Sequence, residues 1–359
     1  MHAKPRRTFS GALAGAIAAA ATVAASPARA ARFDGITLRL ATFGGRWRDI
    51  VDKYVGKAFE AEGGRIEYVL GQPAQNMAKL VAARGQAAPF DVMETMDNFM
   101  PVLVEGKFLE PLDLKRIPRS RDLPKGAADA NRVMIWSTQE GIVYNVDKLR
   151  EAGIAPPTRY ADLANPKLKG RVSVPDVSAG GAIPAIVGMA VEAGGSENDI
   201  DPALEMIKRI SPASFWSSSS NLQTQLANGD VWVAAAQAGN VQRLKGQVPL
   251  AMVHPTLKGR TGIVKQGYLV KIRGTRHSEA ADWVVDRFLG MEMQLATSTE
   301  GGQVPSSATA LAELRKDASL GFLKLKPSEI ENMFLIDYNR VNQAAYVQKW
   351  NRSLGSRRD

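Results

Sequence analysis

The sequence contains no cysteine and only three histidines among 359 residues. Without cysteine there can be no disulfide, thiolate zinc site, iron–sulfur cluster or thiol nucleophile. His2 lies in the extreme N-terminal segment, so only His254 and His277 remain as possible metal ligands or general bases. A histidine-rich metal centre is therefore not expected, and the sequence predicts no cofactor.

Low-complexity segments and long apolar runs are also missing from most of the chain. Hydrophobic residues make up 45% and charged residues 23% of the sequence, which is typical of a globular protein and excludes collagen-like and wholly disordered chains. After residue 30 no run of about 18 apolar residues occurs, so no membrane anchor is predicted there. The length favours about two domains.

Residues 1–30 have the features of an export signal. A basic start precedes a weakly hydrophobic stretch, and Ala28-Arg29-Ala30 provides the small-x-small pattern that a signal peptidase cleaves. The pair Arg6-Arg7, followed by Phe9, favours the twin-arginine route over an ordinary secretory signal. The mature chain is predicted to begin near Ala31 and to reside in the periplasm.

The charge balance is less basic than it first looks. The full chain has a formal charge of +10, but four of its 46 basic residues lie in the predicted signal, which contains no acid. The mature chain then has 42 basic and 36 acidic residues, a charge of +6, without long basic runs. An exported chain of this kind is not expected to bind nucleic acid. Its modest positive excess is compatible with acidic small molecules.

Short apolar runs alternate with amphipathic helical patterns along the mature chain. One series of predicted strands covers 36–40, 66–70 and 90–93, and a second includes 171–174 and 231–235. Strands that alternate with helices predict crossover connections and mostly parallel sheets. Two α/β series in tandem predict two lobes that face each other. Ligands of open α/β sheets bind at the carboxyl ends of the strands, so both lobes would contribute to one cleft.

Several segments occur in a recognisable order and spacing. They are TFGGRW at 42–47, GKFLEPLD at 106–113, GIVYN at 141–145, YADLANPKLKGRV at 160–172, LANGDV at 226–231 and GQVP at 302–305. Behind an export signal, this series resembles the type II periplasmic solute-binding proteins of ABC importers. Within that group the chain is most similar to the spermidine/putrescine-binding branch, extracellular solute-binding family 1.

The resemblance implies a two-lobed α/β fold, in which each lobe is a mostly parallel sheet flanked by helices and the ligand cleft lies at a strand hinge. It places residues 31–142 and 262–305 in lobe 1, and residues 143–261 and 306–359 in lobe 2 with the C-terminal helices. It also implies that the lobes close on a small-molecule solute and deliver it to an inner-membrane ABC permease with its ATPase. A monomer without enzymatic activity is predicted.

The family's polyamine binders grip a polycation with carboxylates and aromatic walls. The resemblance places Asp176 at one carboxylate position, but Ala179 and Ala236 stand near an expected acid and an expected tryptophan. Val264 and Gln266 likewise stand near an expected aromatic residue and an expected acid. Most of the polycation-binding set is therefore absent.

The residues that replace this set favour another ligand. Lys265 would repel an ammonium group in a desolvated cleft, whereas amides such as Gln237 suit polar groups of either sign. We therefore predict a neutral or anionic organic solute, with a carboxylate or phosphonate-like group bound by Arg46 or Lys265 and by backbone N–H groups at a helix start. A polyamine remains the alternative ligand.

The predicted ligand-binding residues follow strand ends or lie in the two crossing segments between lobes. They are Phe43, Gly44, Arg46, Trp47, Gln72, Gln75, Met96, Asp97, Gln139, Asp176, Ser178, Ser218, Ser219, Gln237, Lys265, Gln266 and Tyr268. Each has a structural alternative: Trp47 could belong to the core, Asp176 or Ser218 could cap a helix, and the turn at 42–45 could simply reverse the chain.

Two more distant alternatives remain. A ferric-ion binder would need converging tyrosines with a histidine or carboxylate, and only Tyr268 is suitably placed for that role. A secreted hydrolase would need a nucleophile, a base and an orienting group. Neither a Gly-x-Ser-x-Gly elbow nor a His-Glu-x-x-His motif occurs in the sequence, so a hydrolase is not expected.

Overall fold

The computed structural model describes residues 1–2, 31–179, 182–317 and 332–355. Nearly all of the predicted export signal, residues 3–30, lies outside the described residues. Within the described ranges, no helix has both the length and the apolar character that a membrane span requires.

The strands are distributed along the whole described chain. They are β1 (Thr37–Thr42), β2 (Arg65–Leu70), β3 (Val92–Met96), β4 (Val133–Asn145), β5 (Val172–Pro175), β6 (Ser214–Trp216), β7 (Val233–Gln237), β8 (Leu250–Val253), β9 (Thr256–Leu257), β10 (Arg260–Thr261), β11 (Ile263–Lys271) and β12 (Val304–Pro305).

Helices connect most of these strands. They are α1 (Arg46–Val51), α2 (Lys57–Ala61), α3 (Pro73–Ala82), α4 (Met100–Glu105), α5 (Val146–Glu151), α6 (Ala182–Glu192), α7 (Asp201–Ile210), α8 (Ser219–Asn228), α9 (Gly239–Arg243), α10 (Ser278–Phe288), α11 (Met291–Thr299), α12 (Ala308–Leu314) and α13 (Gln343–Leu354). A π-helical segment, Asp52–Gly56, joins α1 to α2, and short 3-10 helices cover Asp97–Phe99, Pro118–Asp122, Tyr160–Ala164, Pro166–Leu168 and Tyr338–Arg340.

One ten-stranded sheet runs through the molecule. Its order is β2-β1-β3-β11-β4-β7-β5-β6, and β8 and β12 also pair with β4. At one end β1 pairs in parallel with β2 and β3, and at the other β5 pairs in parallel with β6 and β7. Two parallel neighbouring strands need a crossover connection, which is usually a helix. The alternation of strands and helices along the sequence therefore produces this topology. The antiparallel strands β4 and β11 join the two parallel groups.

Two main hydrophobic cores lie on either side of the middle of β4. Val133 and Ile135 of β4 belong to the core that also contains α1, α10 and α11, whereas Ile142 and Val143 belong to the core around α6 and α7. A third cluster covers the α3 and α4 side of the first parallel group. These clusters supply the apolar burial that holds each half together.

The C-terminal helices pack on different halves. Trp350 of α13 is fully buried in the core around α6 and α7. Leu314 of α12 instead packs with Leu295 of α11 and Val304 of β12. The exact lobe boundaries stay a prediction.

Candidate functional site

The crossing strands β4 and β11 present two faces. In an antiparallel pair, residues directly opposite each other share a face of the sheet. Lys265 lies opposite Thr138, and Glu140 lies opposite both Ile263 on β11 and Gln237 on β7. We call this side, which carries Glu140 and Lys265, the charged face.

The other side of the same strands borders a cavity of about 840 Å³, and we call it the cavity face. Gln266 lies opposite Ser137 there, and Val264 lies opposite Gln139. The remaining walls of the cavity come from α4, the segment 124–132 and the segment 335–339. Of the predicted ligand-binding residues, Asp97, Gln266 and Tyr268 line this cavity.

Asp97 connects the cavity to the crossing strands. Its carboxylate accepts the backbone N–H groups of Gln266 at 3.0 Å and of Asn98 at 2.9 Å. Burial raises the pKa of Asp97 to about 6, and the Lys265 ammonium, these N–H groups and the Tyr338 hydroxyl oppose that rise. Asp97 can therefore gain or lose its charge near neutral pH.

Glu140 and Lys265 form a buried pair of opposite charge on the charged face. Their exposed fractions are 0% and 4%. Burial raises the pKa of Glu140 to about 8, although the Lys265 ammonium and the Gln237 amide favour the ionised form. Burial lowers the pKa of Lys265, against the attraction of Asp97 and Glu140. One cation thus lies between two carboxylates.

Arg46 and Arg243 approach each other from opposite halves. Arg46 begins α1 directly after Gly45, whose φ of 63° belongs to the left-handed region that glycine adopts at little cost. Arg243 ends α9 and donates to the carbonyl oxygen of Gly301 at 3.3 Å. Burial and the nearby Arg46 both lower the pKa of Arg243. Among the described residues, neither guanidinium forms an ion pair with a carboxylate.

These two arginines lie on the side of the charged face. The Trp47 indole, next to Arg46 in the chain, donates to Glu94 at 2.8 Å, and the Trp136 indole donates to the same carboxylate at 2.9 Å. Trp136 precedes Thr138 by two strand positions, so both side chains point to one side of β4. Positive groups from two halves and the Glu140–Lys265 pair therefore occur on one side of the crossing strands.

Two predicted glutamines cap a helix. The N–H group of Gln72, just before α3, donates to the Gln75 side chain at 2.9 Å, and both residues complete a capping box. Ser218 likewise caps α8, because its hydroxyl accepts the N–H group of Asn221 at 3.2 Å. These contacts account for the local conformation after β2 and β6.

Asp176 and Ser178 form a local turn after β5. The Asp176 carboxylate accepts the Ser178 N–H group at 2.9 Å and its hydroxyl at 2.6 Å. The hydroxyl of Tyr268 donates to the side chain of Gln266, and the Arg132 guanidinium lies 4.6 Å from the centre of the Tyr268 ring. Tyr268 is thus fixed from two directions at the cavity face.

The other predicted residues are placed individually. Phe43 packs against the core that contains α1, α10 and α11, and Met96 is buried in that core. Gln139 is buried on the cavity face. Gly44 is exposed in the turn after β1, and Ser219 is the first residue of α8. Their roles in ligand binding stay predictions.

Several polar residues of the site were not among the predicted ones. Glu94, Glu140 and Arg243 are the most prominent, and Tyr160 and Tyr338 lie close to Glu140. A glutamate in the apolar run of β3 is a signal that the sequence offers, because such a side chain is rarely buried without partners. The position of Arg243 opposite Arg46 depends on how the halves meet and has no local signal.

Among residues 1–2, 31–179, 182–317 and 332–355, no cluster of three or more histidine, aspartate or glutamate side chains could hold a metal ion. The site as described offers instead guanidinium, ammonium, carboxylate and hydroxyl groups that suit a polar organic molecule.

Three comparisons with known proteins show the family and the fold of this chain. The model of the family "bacterial extracellular solute-binding protein" matches residues 54–319. A curated relative, the putrescine/agmatine-binding protein of Pseudomonas aeruginosa, is 26% identical over 299 residues, which cover 74% of this chain and 78% of the relative.

Solved structures show the same fold at low sequence identity. The Atu4243 GABA receptor has a TM-score of 0.70 and 20% identity, covering 88% of this chain and 96% of its own. The periplasmic binding protein AgtB of A. tumefaciens R10, in complex with agropinic acid, has a TM-score of 0.67 and 17% identity, covering 89% and 99%. These likenesses confirm the predicted fold class.

Proposed function

This chain belongs to the bacterial extracellular solute-binding proteins, the capture components of ABC transporters, and from that premise we propose the class of solute that it binds. The solute is a small polar organic molecule with a carboxylate or phosphonate-like group. It binds between the two halves, on the charged face of the crossing strands.

The observation that carries this proposal is the approach of Arg46 and Arg243. Both arginines are exposed to solvent, and two guanidinium groups that approach each other repel; an anion between them offsets that repulsion. A carboxylate or phosphonate in that position would accept charge-assisted hydrogen bonds from both halves at once. The anion would then offset the repulsion that the closed arrangement creates.

A ligand that touches both halves stabilises the closed form by the contacts that the open form cannot make. We propose that the two halves hinge at β4 and β11 and that the closed form, after export to the periplasm, delivers its solute to an inner-membrane permease with its ATPase. Binding alone is proposed, without a chemical step.

A polyamine is the second candidate. The curated relative that shares 26% identity is a putrescine/agmatine-binding protein, and Asp97 and Glu140 are buried carboxylates that could meet an ammonium group. Lys265 lies between these two acids and already offsets part of their charge. The paired arginines favour the anionic solute over the polyamine.

Isothermal titration calorimetry tests the proposal on the mature protein after removal of any retained molecule by unfolding and refolding. We expect binding of at least one member of a panel of small carboxylates and phosphonates. Arg46→Ala and Arg243→Ala should each weaken that binding at least tenfold. The matched control is Arg48→Ala, because Arg48 lies on the same helix and pairs with Asp49 at 3.2 Å.

Putrescine and spermidine belong in the same titrations. Binding of putrescine or spermidine at micromolar concentration, without measurable binding of any carboxylate or phosphonate, would overturn the proposal in favour of the second candidate. Mass spectrometry of the recovered solute completes the test, because a binding protein returns its ligand chemically unchanged.

A further inference from the structure

We propose that the solute is a zwitterion, in which an amino or guanidino group at one end binds Glu140 and an acidic group at the other end binds Arg46 and Arg243. This inference rests on the proposed function and adds the cationic end of the ligand. It follows from three features of Glu140 and its surroundings.

The first feature is the environment of Glu140. The residue is fully buried, and among the described residues neither oxygen of its carboxylate receives a well-formed hydrogen bond. A buried carboxylate without donors is strongly unfavourable, so such groups normally receive hydrogen bonds from protein, water or ligand. The Gln237 amide lies beside it but does not complete this coordination.

The second feature is an excess of acid. Asp97 and Glu140 are both buried, and among the described residues Lys265 is the one ammonium group that interacts with each of them. The raised pKa of about 8 keeps Glu140 largely protonated at neutral pH, and the cluster carries one uncompensated negative charge once a bound cation favours the ionised carboxylate. The Tyr160 hydroxyl, also buried without a hydrogen-bond partner among the described residues, adds a polar group next to Glu140. An ammonium or guanidinium group can satisfy both, because the attraction of the two carboxylates together outweighs the repulsion from the single Lys265 ammonium.

The third feature is the path from Glu140 to Arg243. Glu140 lies opposite Gln237, the last residue of β7, and the Asn240 side chain donates to the Gln237 carbonyl oxygen at 3.1 Å. α9 then carries Arg243 about 5 Å further along its axis, since each helical residue rises about 1.5 Å. A negative site on β4 and a positive site on α9, which follows the paired strand β7, suit a ligand whose charges are separated by an aliphatic chain.

Matched ligand pairs test this inference directly. We would titrate the protein with 4-aminobutanoate, 5-aminopentanoate and 6-aminohexanoate, and with the corresponding acids that lack the amino group. At least one amino acid should bind tenfold or more tightly than its partner. Equal affinities within every pair that binds would overturn the inference but leave the anionic proposal standing, whereas failure of all carboxylates and phosphonates would overturn the anionic proposal itself.

Variants identify the residue that binds the cation. Glu140→Gln should reduce the preference for the amino acid over the corresponding simple acid to less than threefold, because a neutral amide cannot pair with the cation. Glu105→Gln, an exposed acid that borders the cavity on the other face, should leave the preference intact. A full preference in folded Glu140→Gln would contradict the assignment of Glu140. If that variant does not fold, the ligand pairs on the unaltered protein still decide the inference.

Discussion

Trp47 and Trp136 donate their indole N–H groups to the two oxygens of one buried carboxylate, that of Glu94. Trp47 is the second residue of α1, whereas Trp136 belongs to the crossing strand β4. Glu94 therefore ties the start of α1, and with it Arg46, to the strand that joins the two halves. The position of a proposed ligand-binding arginine thus depends on a residue that does not itself face the ligand.

Replacing Glu94 by alanine should destabilise the protein strongly. The change leaves two buried indole N–H groups without an acceptor, and each such loss costs about 1–3 kcal/mol. We expect a fall of about 2–5 kcal/mol in the free energy of unfolding, measured by urea denaturation with tryptophan fluorescence. Glu105→Ala, an exposed control, should change it by less than about 0.5 kcal/mol. A similar small change in Glu94→Ala would contradict the role assigned to this carboxylate.

Removing one arginine should favour closure in the absence of ligand. Arg243→Met eliminates the repulsion with Arg46 but keeps a side chain of comparable length. The ligand-free variant should have a smaller radius of gyration in small-angle X-ray scattering than the unaltered protein at low salt. Salt screens the same repulsion, so the difference should shrink at about 0.5 M salt. Identical radii at low salt would mean that repulsion between these arginines does not oppose closure.

Glu140 should make stability depend on pH. Its pKa lies near 8 in the folded protein and at its ordinary, lower value in the unfolded chain. Between these values the folded state binds the extra proton, so the contribution of Glu140 to stability is complete at acidic pH and is lost as the pH rises toward 8. The groups that face Glu140 are the charges of Lys265 and Asp97 and the hydroxyls of Tyr160 and Tyr338. A variant of Glu140 alone keeps all of them, so it isolates the titration of this one carboxylate.

The test compares the free energy of unfolding of Glu140→Gln with that of the unaltered protein, measured by urea denaturation at pH 5, 6.5 and 8. The variant cannot ionise at this position. Its stability relative to the unaltered protein should therefore increase with each step in pH. A constant difference across the three pH values would show that Glu140 keeps the same charge in both states.

The buried ion pair of Lys271 and Asp282 allows a test of protein stability at a place remote from the proposed ligand. The Lys271 ammonium and the Asp282 carboxylate meet at 2.8 Å with only 2% exposure of each side chain, and the ammonium group also donates to the Ser278 hydroxyl at 2.8 Å. Lys271→Met leaves a buried carboxylate unpaired, which typically costs about 3–5 kcal/mol. The double variant Lys271→Met/Asp282→Leu should recover most of this loss in the free energy of unfolding. A double variant no more stable than the single one would rule out charge burial as the cause.

Much of the fold could be predicted from the sequence because its strands and helices are locally encoded. The predicted strand at 66–70 corresponds to β2 (Arg65–Leu70), and that at 171–174 corresponds to β5 (Val172–Pro175). β4 was harder to predict at its full length of 13 residues, because polar Thr138 and Glu140 interrupt its apolar pattern. They are buried there since the strand passes between two halves.

The candidate site was predictable only in part for the same reason. Gln72 and Gln75 flank a proline at a helix start, a pattern that indicates a cap from sequence alone. The meeting of Arg46 with Arg243, by contrast, joins residues far apart in the chain. It depends on the relative placement of the halves, and no local propensity contains that information.

The chain order of β4 and β11 has a consequence for biosynthesis. β4 pairs with β11, which ends at Lys271, and α10 and α11, which cover the first core, extend to Thr299. A nascent chain cannot complete its N-terminal half until these late segments have left the ribosome. Fragments that stop earlier would expose the edge of β3 and invite aggregation. The polypeptide therefore has to be nearly finished before its beginning can fold.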